Sequence, residues 1–114
     1  MTLNELRTAF RQQLEQGDRD KAKALLADYS EFTPYLAVGN AVLASAEGDH
    51  PLAARMIGVA DTAYPVAGEK PEPEDAAELA KVHAAAVEAL GESAFADYRA
   101  DGALWEGDFR TSMV

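Results

Sequence analysis

Few residues in this chain are suited to chemistry, and their neighbours argue against most of it. There are two histidines, His50 and His83. His50 opens a helix beside Pro51, and His83 follows Val82 on an alanine-rich helix, so each reads as a surface or core-edge side chain. Glu47 precedes His50 by three residues, the E-x-x-H spacing of a di-iron carboxylate site. Gly48 and Asp49 break the helix that would place both on one face. The densest carboxylate cluster is Glu72, Glu74, Asp75 and Glu78, which reads as negative charge complementing a helix N-terminus. Ser30, Ser45, Ser93 and Ser112 have no base at a revealing spacing. With no cysteine, the chain has no thiolate ligand, nucleophile or disulfide. It also lacks H-E-x-x-H, G-x-x-x-x-G-K-[ST] and G-x-G-x-x-G, the marks of zinc proteases, P-loop enzymes and dinucleotide sites. The expectation is a non-enzyme with no catalytic, cofactor or metal residue.

At 114 residues and 48% hydrophobic content, the chain is one domain, 1–114, with a modest core. Only 8% of residues are aromatic and alanine is abundant, which suits helices lying close together. The net charge of -10 argues against direct nucleic-acid binding. Residues 1–57 hold 6 basic and 8 acidic side chains, whereas 58–114 hold 4 and 12. That excess is either a solvated acidic surface or an acidic face that meets a basic partner. No apolar run approaches the ~18 residues of a membrane span. The N-terminal stretch M-T-L-N-E-L-R-T-A-F-R lacks the continuous apolar segment of a signal peptide. A cytoplasmic protein without membrane contact is expected.

The elements follow from caps and periodicity. Thr2 and Glu5 form a capping-box pattern, and Leu3, Leu6, Phe10 and Leu14 recur at steps of three or four, with Arg7 and Arg11 mostly off that stripe. Gly17 stops this helix and Asp18 starts the next, which buries Ala22, Leu25, Leu26 and Tyr29. Pro34 falls in the first turn of a third helix, to about Glu47, with Leu36, Leu43 and Ala46 as its core residues. Gly39 in its middle implies close approach of a neighbouring helix. Gly48 and Asp49 repeat the stop and start, and Ala53, Met56, Ile57, Ala60 and Tyr64 form the stripe that follows. The segment Pro65 to Pro73 is expected to be a loop. A fifth helix then carries Leu79, Val82, Ala86 and Leu90. Gly91 and Glu92 make a third hinge of the same type, and a sixth helix buries Phe95 and Tyr98 until Gly102 breaks it.

Gly17 and Gly48 lie 31 positions apart, pairing Asp18 with Asp49, Ala22 with Ala53 and Leu26 with Ile57. That period is near the ~34 residues of tetratricopeptide helix pairs. The fold class expected is all-α: antiparallel helical hairpins stacked as a short, right-handed, tetratricopeptide-like array of about six helices. The hairpins span about 2–29, 34–64 and 74–101, with a C-terminal cap at 103–114. Stacked hairpins leave a groove lined by the first helix of each pair. Arg7, Arg11, Asn40 and Lys81 are its candidate residues, facing an acidic or carboxylate-bearing protein or peptide.

The segment A-E-G-D-H-P-L-A-A-R-M-I-G-V-A-D (46–61) resembles a recurring stretch in the C-terminal helical regions of actinobacterial LuxR-type and antibiotic-regulatory ATPases. A proline-bearing loop and D-A-A-E-L-A-K-V-H-A-A-A-V-E-A-L-G-E-S-A-F-A-D-Y-R-A-D-G (75–102) follow in the same order. The likeness covers roughly residues 35–110. It implies a tetratricopeptide-like scaffold serving protein interaction or signal sensing, with nucleotide and DNA held by other domains. No ATPase or helix-turn-helix is read within these 114 residues, and A-L-W-E-G-D-F-R-T-S-M-V stands where that pattern implies a long final helix, so a domain cut from a longer chain is expected.

The first reading is therefore a non-catalytic interaction or signal-sensing module, part of or related to a bacterial transcriptional regulator. A second is a self-associating, dimeric helical domain using Trp105, Phe109 and Met113 at an open end. A third, ranked last, is a small enzyme with an acidic site.

Overall fold

Thr2 starts the first helix through a reciprocal pair of hydrogen bonds. Its hydroxyl accepts from the Glu5 N–H at 3.2 Å, and its own N–H donates to Glu5 Oε1 at 3.0 Å. Two of the helix's free donors are satisfied in this way. The computed structural model describes residues 1–29 and 32–104. Among the described residues lie six helices and no strand: α1 (Leu3–Glu15), α2 (Arg19–Asp28), α3 (Thr33–Ala46), α4 (His50–Ala67), α5 (Pro73–Leu90) and α6 (Glu92–Ala103). No described helix is long and apolar enough to cross a membrane.

Hydrophobicity decides which helices are central. In α3, Tyr35, Leu36, Ala37, Val38, Gly39, Ala41, Leu43 and Ala44 are buried. A helix apolar on every side needs neighbours all round, and α3 packs against α2, α4 and α5. The α4 helix packs against α3, α5 and α6, and α1 pairs with α2. Thus α3 neighbours α5 and α4 neighbours α6, each helix lying beside its counterpart in the next hairpin. The stripes read from periodicity are the core, with Leu3, Leu14, Leu25, Tyr29, Leu79, Leu90 and Tyr98 packed at its edge. Ala46 is the exception: it is exposed at the last turn of α3. A Cβ on Gly39 would lie 2.8 Å from Leu26 Cδ2, so that glycine does admit the neighbouring helix α2.

The hinges at 17–18 and 48–49 are built alike. Gly48 has a φ of 76°, its N–H donates to Ser45 O at 3.1 Å, and the Asp49 N–H donates to Ala44 O at 2.8 Å. This double closure is a Schellman cap and requires a left-handed residue. The Asp49 carboxylate then accepts from the Leu52 N–H at 3.2 Å, as Asp18 accepts from Lys21 at 3.0 Å. One residue pair therefore satisfies carbonyls of one helix and N–H groups of the next. Gly48→Val forces a β-branched residue into the left-handed region and is expected to cost about 1–2 kcal/mol. An unchanged midpoint in urea denaturation would count against the cap.

Three sequence expectations need correction. The α4 helix runs through Pro65 to Ala67, and Gly68 caps it with a φ of 70°. Pro65 is exposed and lies two residues from the end of the helix, so the one backbone bond it removes, to the Asp61 carbonyl, is lost where the helix is about to stop. Gly91 is a hinge of a different type: at φ 86° and ψ 158° it ends α5 and begins α6 with no side-chain cap. Gly68, whose following N–H donates to Tyr64 O at 2.9 Å, is the structural counterpart of Gly17 and Gly48. Gly102 does not break α6 but lies buried inside it. A Cβ there would sit 1.9 Å from Arg55 O, and one on Gly58 would sit 2.0 Å from Arg99 O. The α4 and α6 helices thus touch backbone to backbone through one glycine on each. The Thr62 hydroxyl donates to Ala103 O at 2.9 Å and seals the end of this crossing.

Candidate functional site

Arg7, expected on the groove surface, is buried. Its Nε donates to Asp75 Oδ1 at 2.8 Å and its Nη2 to Asp75 Oδ2 at 2.6 Å, a two-pronged pair between α1 and α5. Nη1 donates to Asn4 Oδ1 at 2.6 Å and lies 3.3 Å from Glu74 Oε1. The guanidinium also sits 5.3 Å from the centre of the Tyr35 ring. Hydrogen bonding to Asp75 raises the Arg7 pKa above its ordinary value. With all three of its nitrogens engaged inside the chain and its side chain buried, this arginine holds the fold and presents nothing to a partner.

The other nominated residues also fall away from a shared site. Arg11 is half-buried and spends its charge on Glu74 at 3.1 Å. It lines a cleft of about 190 Å³ between α1, α3 and α5, so one nominee does face the space between the first helices of the pairs. Asn40 donates its amide back to Leu36 O at 2.8 Å on its own helix. Lys81 is exposed on α5 and does not line that cleft. The structure therefore does not assemble Arg7, Arg11, Asn40 and Lys81 into an acid-binding surface. Trp105, Phe109 and Met113 lie outside the described residues.

Tyr35 and Tyr64 are buried beside the Arg7–Asp75 pair. Burial, and then the negative charge of Asp75, raise both phenol pKa values above the ordinary one. A raised folded-state value means that the stabilising contribution is complete below about pH 10, where unfolded tyrosine ionises, and is lost as pH rises above it. Tyrosinate absorbance from Tyr35 and Tyr64 should therefore appear only together with loss of helical circular dichroism. Full tyrosinate absorbance, from all four tyrosines, developing while helical circular dichroism is unchanged would refute this.

The larger concavity is on another face. Between α5 and α6, with Asp61 of α4 on its wall, is an open groove of about 840 Å³. Its α6 wall is Glu92, Ala96, Ala100 and Ala103, which lie at steps of four, four and three and so share one helix face. Ala84 and Val87 line it from α5, and the His83 ring stacks on Phe95 with centroids 4.5 Å apart. At one end Arg99 is held by Asp61, Nε to Oδ2 at 2.6 Å and Nη2 to Oδ1 at 3.0 Å. At the other, where α5 turns into α6, Glu88 and Glu92 are exposed. No family model, curated protein or solved structure matches this chain.

Chemically, the groove offers apolar contact with carboxylates at one end. His83 is its only imidazole among the described residues and stacks rather than pairing with an acid. Among the described residues no group of three or more histidine, aspartate or glutamate side chains could hold a metal ion. Sequence reasoning missed this groove because its alanines read as neutral filler. The legible signal was the 92–96–100–103 spacing, a row of small residues beyond Glu92 along one face of α6.

Proposed function

We propose that this chain is a helical-repeat interaction module that holds a protein or peptide partner without doing chemistry on it. The observation that carries the reading is the α5–α6 groove of about 840 Å³, with an exposed alanine wall and charges confined to its ends. An enzyme pocket of that size is typically closed around a few converging polar groups, whereas an apolar channel beside a helix suits a docked helix. The neighbouring of α3 with α5 and of α4 with α6 supports a tetratricopeptide-like stack. Membership of a bacterial transcriptional regulator, with a sensing role, is the context the sequence resemblance implies.

Ala100→Arg tests this reading. Ala100 is exposed, so arginine there fills the groove without disturbing the core. A partner captured by the unaltered chain should be lost on the variant, while the thermal midpoint stays within about 1 °C of the original. Equal capture of the same proteins by both would overturn the proposal.

A further inference from the structure

The α5–α6 groove has a charge pattern that selects its occupant, and from it we infer that the groove docks a basic amphipathic helix. The inference rests on the interaction reading above and names the partner's chemistry. Its first support is steric. Ala84, Ala96 and Ala100 are exposed small residues along the walls, and small side chains let another helix approach closely, as Gly58 and Gly102 do on the opposite side of α6. A helix of about 14 residues spans about 21 Å, enough to run the length of α6.

The second support is electrostatic. At the Asp61–Arg99 end the charges are already paired, through two hydrogen bonds. At the α5–α6 corner Glu88 and Glu92 are exposed, and neither makes a hydrogen bond or ion pair with a described residue. The net charge of the whole chain, -10, has the same sign, and most of it falls in residues 58–114. A cationic helix is therefore steered to this face and held in one orientation, its basic end at Glu88 and Glu92 and its apolar stripe on the alanines. A second copy of the chain meets this corner with like charge, which disfavours it as the occupant.

The probe is a synthetic, fluorescently labelled helical peptide of about 14 residues with a leucine stripe flanked by lysines, alongside its lysine-to-glutamate twin. Fluorescence anisotropy with the full chain should show saturable binding of the lysine peptide, weakening as salt rises. The glutamate twin should bind at least about tenfold more weakly. The double charge reversal Glu88→Lys/Glu92→Lys should invert that preference, and Ala100→Arg should abolish binding of both. If the reversal leaves the lysine peptide's affinity unchanged while Ala100→Arg removes it, the groove docks helices without regard to charge. The basic occupant is then wrong and the interaction reading stands. Binding that survives Ala100→Arg, or no binding of the lysine peptide to the unaltered chain, overturns the groove as the docking site. A dimer in sedimentation that Ala100→Arg dissociates makes a second copy the occupant and overturns the inference.

Discussion

Gly102→Ala is expected to destabilise the protein by about 3 kcal/mol or more, although alanine is the better helix former. At an exposed helical position that exchange gains about 1 kcal/mol, so the sign of the effect is the test. A Cβ at Gly102 would sit 1.9 Å from Arg55 O and 2.7 Å from Arg55 C, and backbone cannot move aside as a flexible side chain can. The α4–α6 crossing must open instead, costing at least the upper part of the usual overpacking range. Opening it also stretches the Thr62 hydroxyl bond to Ala103 O and the cation–ring contact of Arg55 with Tyr98, 4.8 Å from the ring centre. Gly58→Ala should do the same from the other helix, and the double variant should cost less than the sum, because a crossing already opened has little more to lose. Gly39→Ala is the control: its obstacle at 2.8 Å is the end of the Leu26 side chain, which can turn away, so a smaller loss is expected. Urea denaturation of the four variants decides the matter, and a stabilised Gly102→Ala would mean that the helices do not touch there.

Arg7→Ala should cost about 3–5 kcal/mol, a large share of the ~5–15 kcal/mol that holds a typical domain together. The loss comes less from the missing attraction than from what remains. Asp75 is 2% exposed, and without the guanidinium its carboxylate is a buried charge with no cation beside it. Asp75→Ala should also be destabilising, since it leaves the buried arginine with only Asn4 and the partly exposed Glu74. Arg7→Lys should rescue only part, because an ammonium cannot repeat the two parallel bonds at 2.8 and 2.6 Å. Arg7→Met/Asp75→Leu removes both charges together and should recover most of the stability. That recovery separates a stranded charge from a simple loss of packing. Losses under about 1 kcal/mol for both single alanine variants would mean that the pair behaves as a surface salt bridge.

The position of Arg7 was legible in the sequence, in a form easily misread. Leu3, Arg7, Phe10 and Leu14 fall at steps of four, three and four, placing the arginine in the apolar stripe. Asp75 stands in the same relation to Leu79, Val82 and Ala86. A single charge set into an apolar stripe signals a buried group, and two of opposite sign on different helices signal a pair. Read locally, Asp75 complements the helix dipole and Arg7 faces a partner groove, because a separation of 68 positions hides which stripe meets which.

By itself the sequence determined the six helices, the Schellman hinges at Gly17 and Gly48 with their capping aspartates, and most of the core stripes. These are local: caps act within one turn, and a helix's apolar period depends only on its own residues. Tertiary structure alone decided that Gly102 sits inside α6 against Arg55, that Arg7 finds Asp75, and that the alanines of α6 face open space. Each depends on the partner a helix face meets, and glycine, alanine and charged residues carry little of that information until the helices are packed.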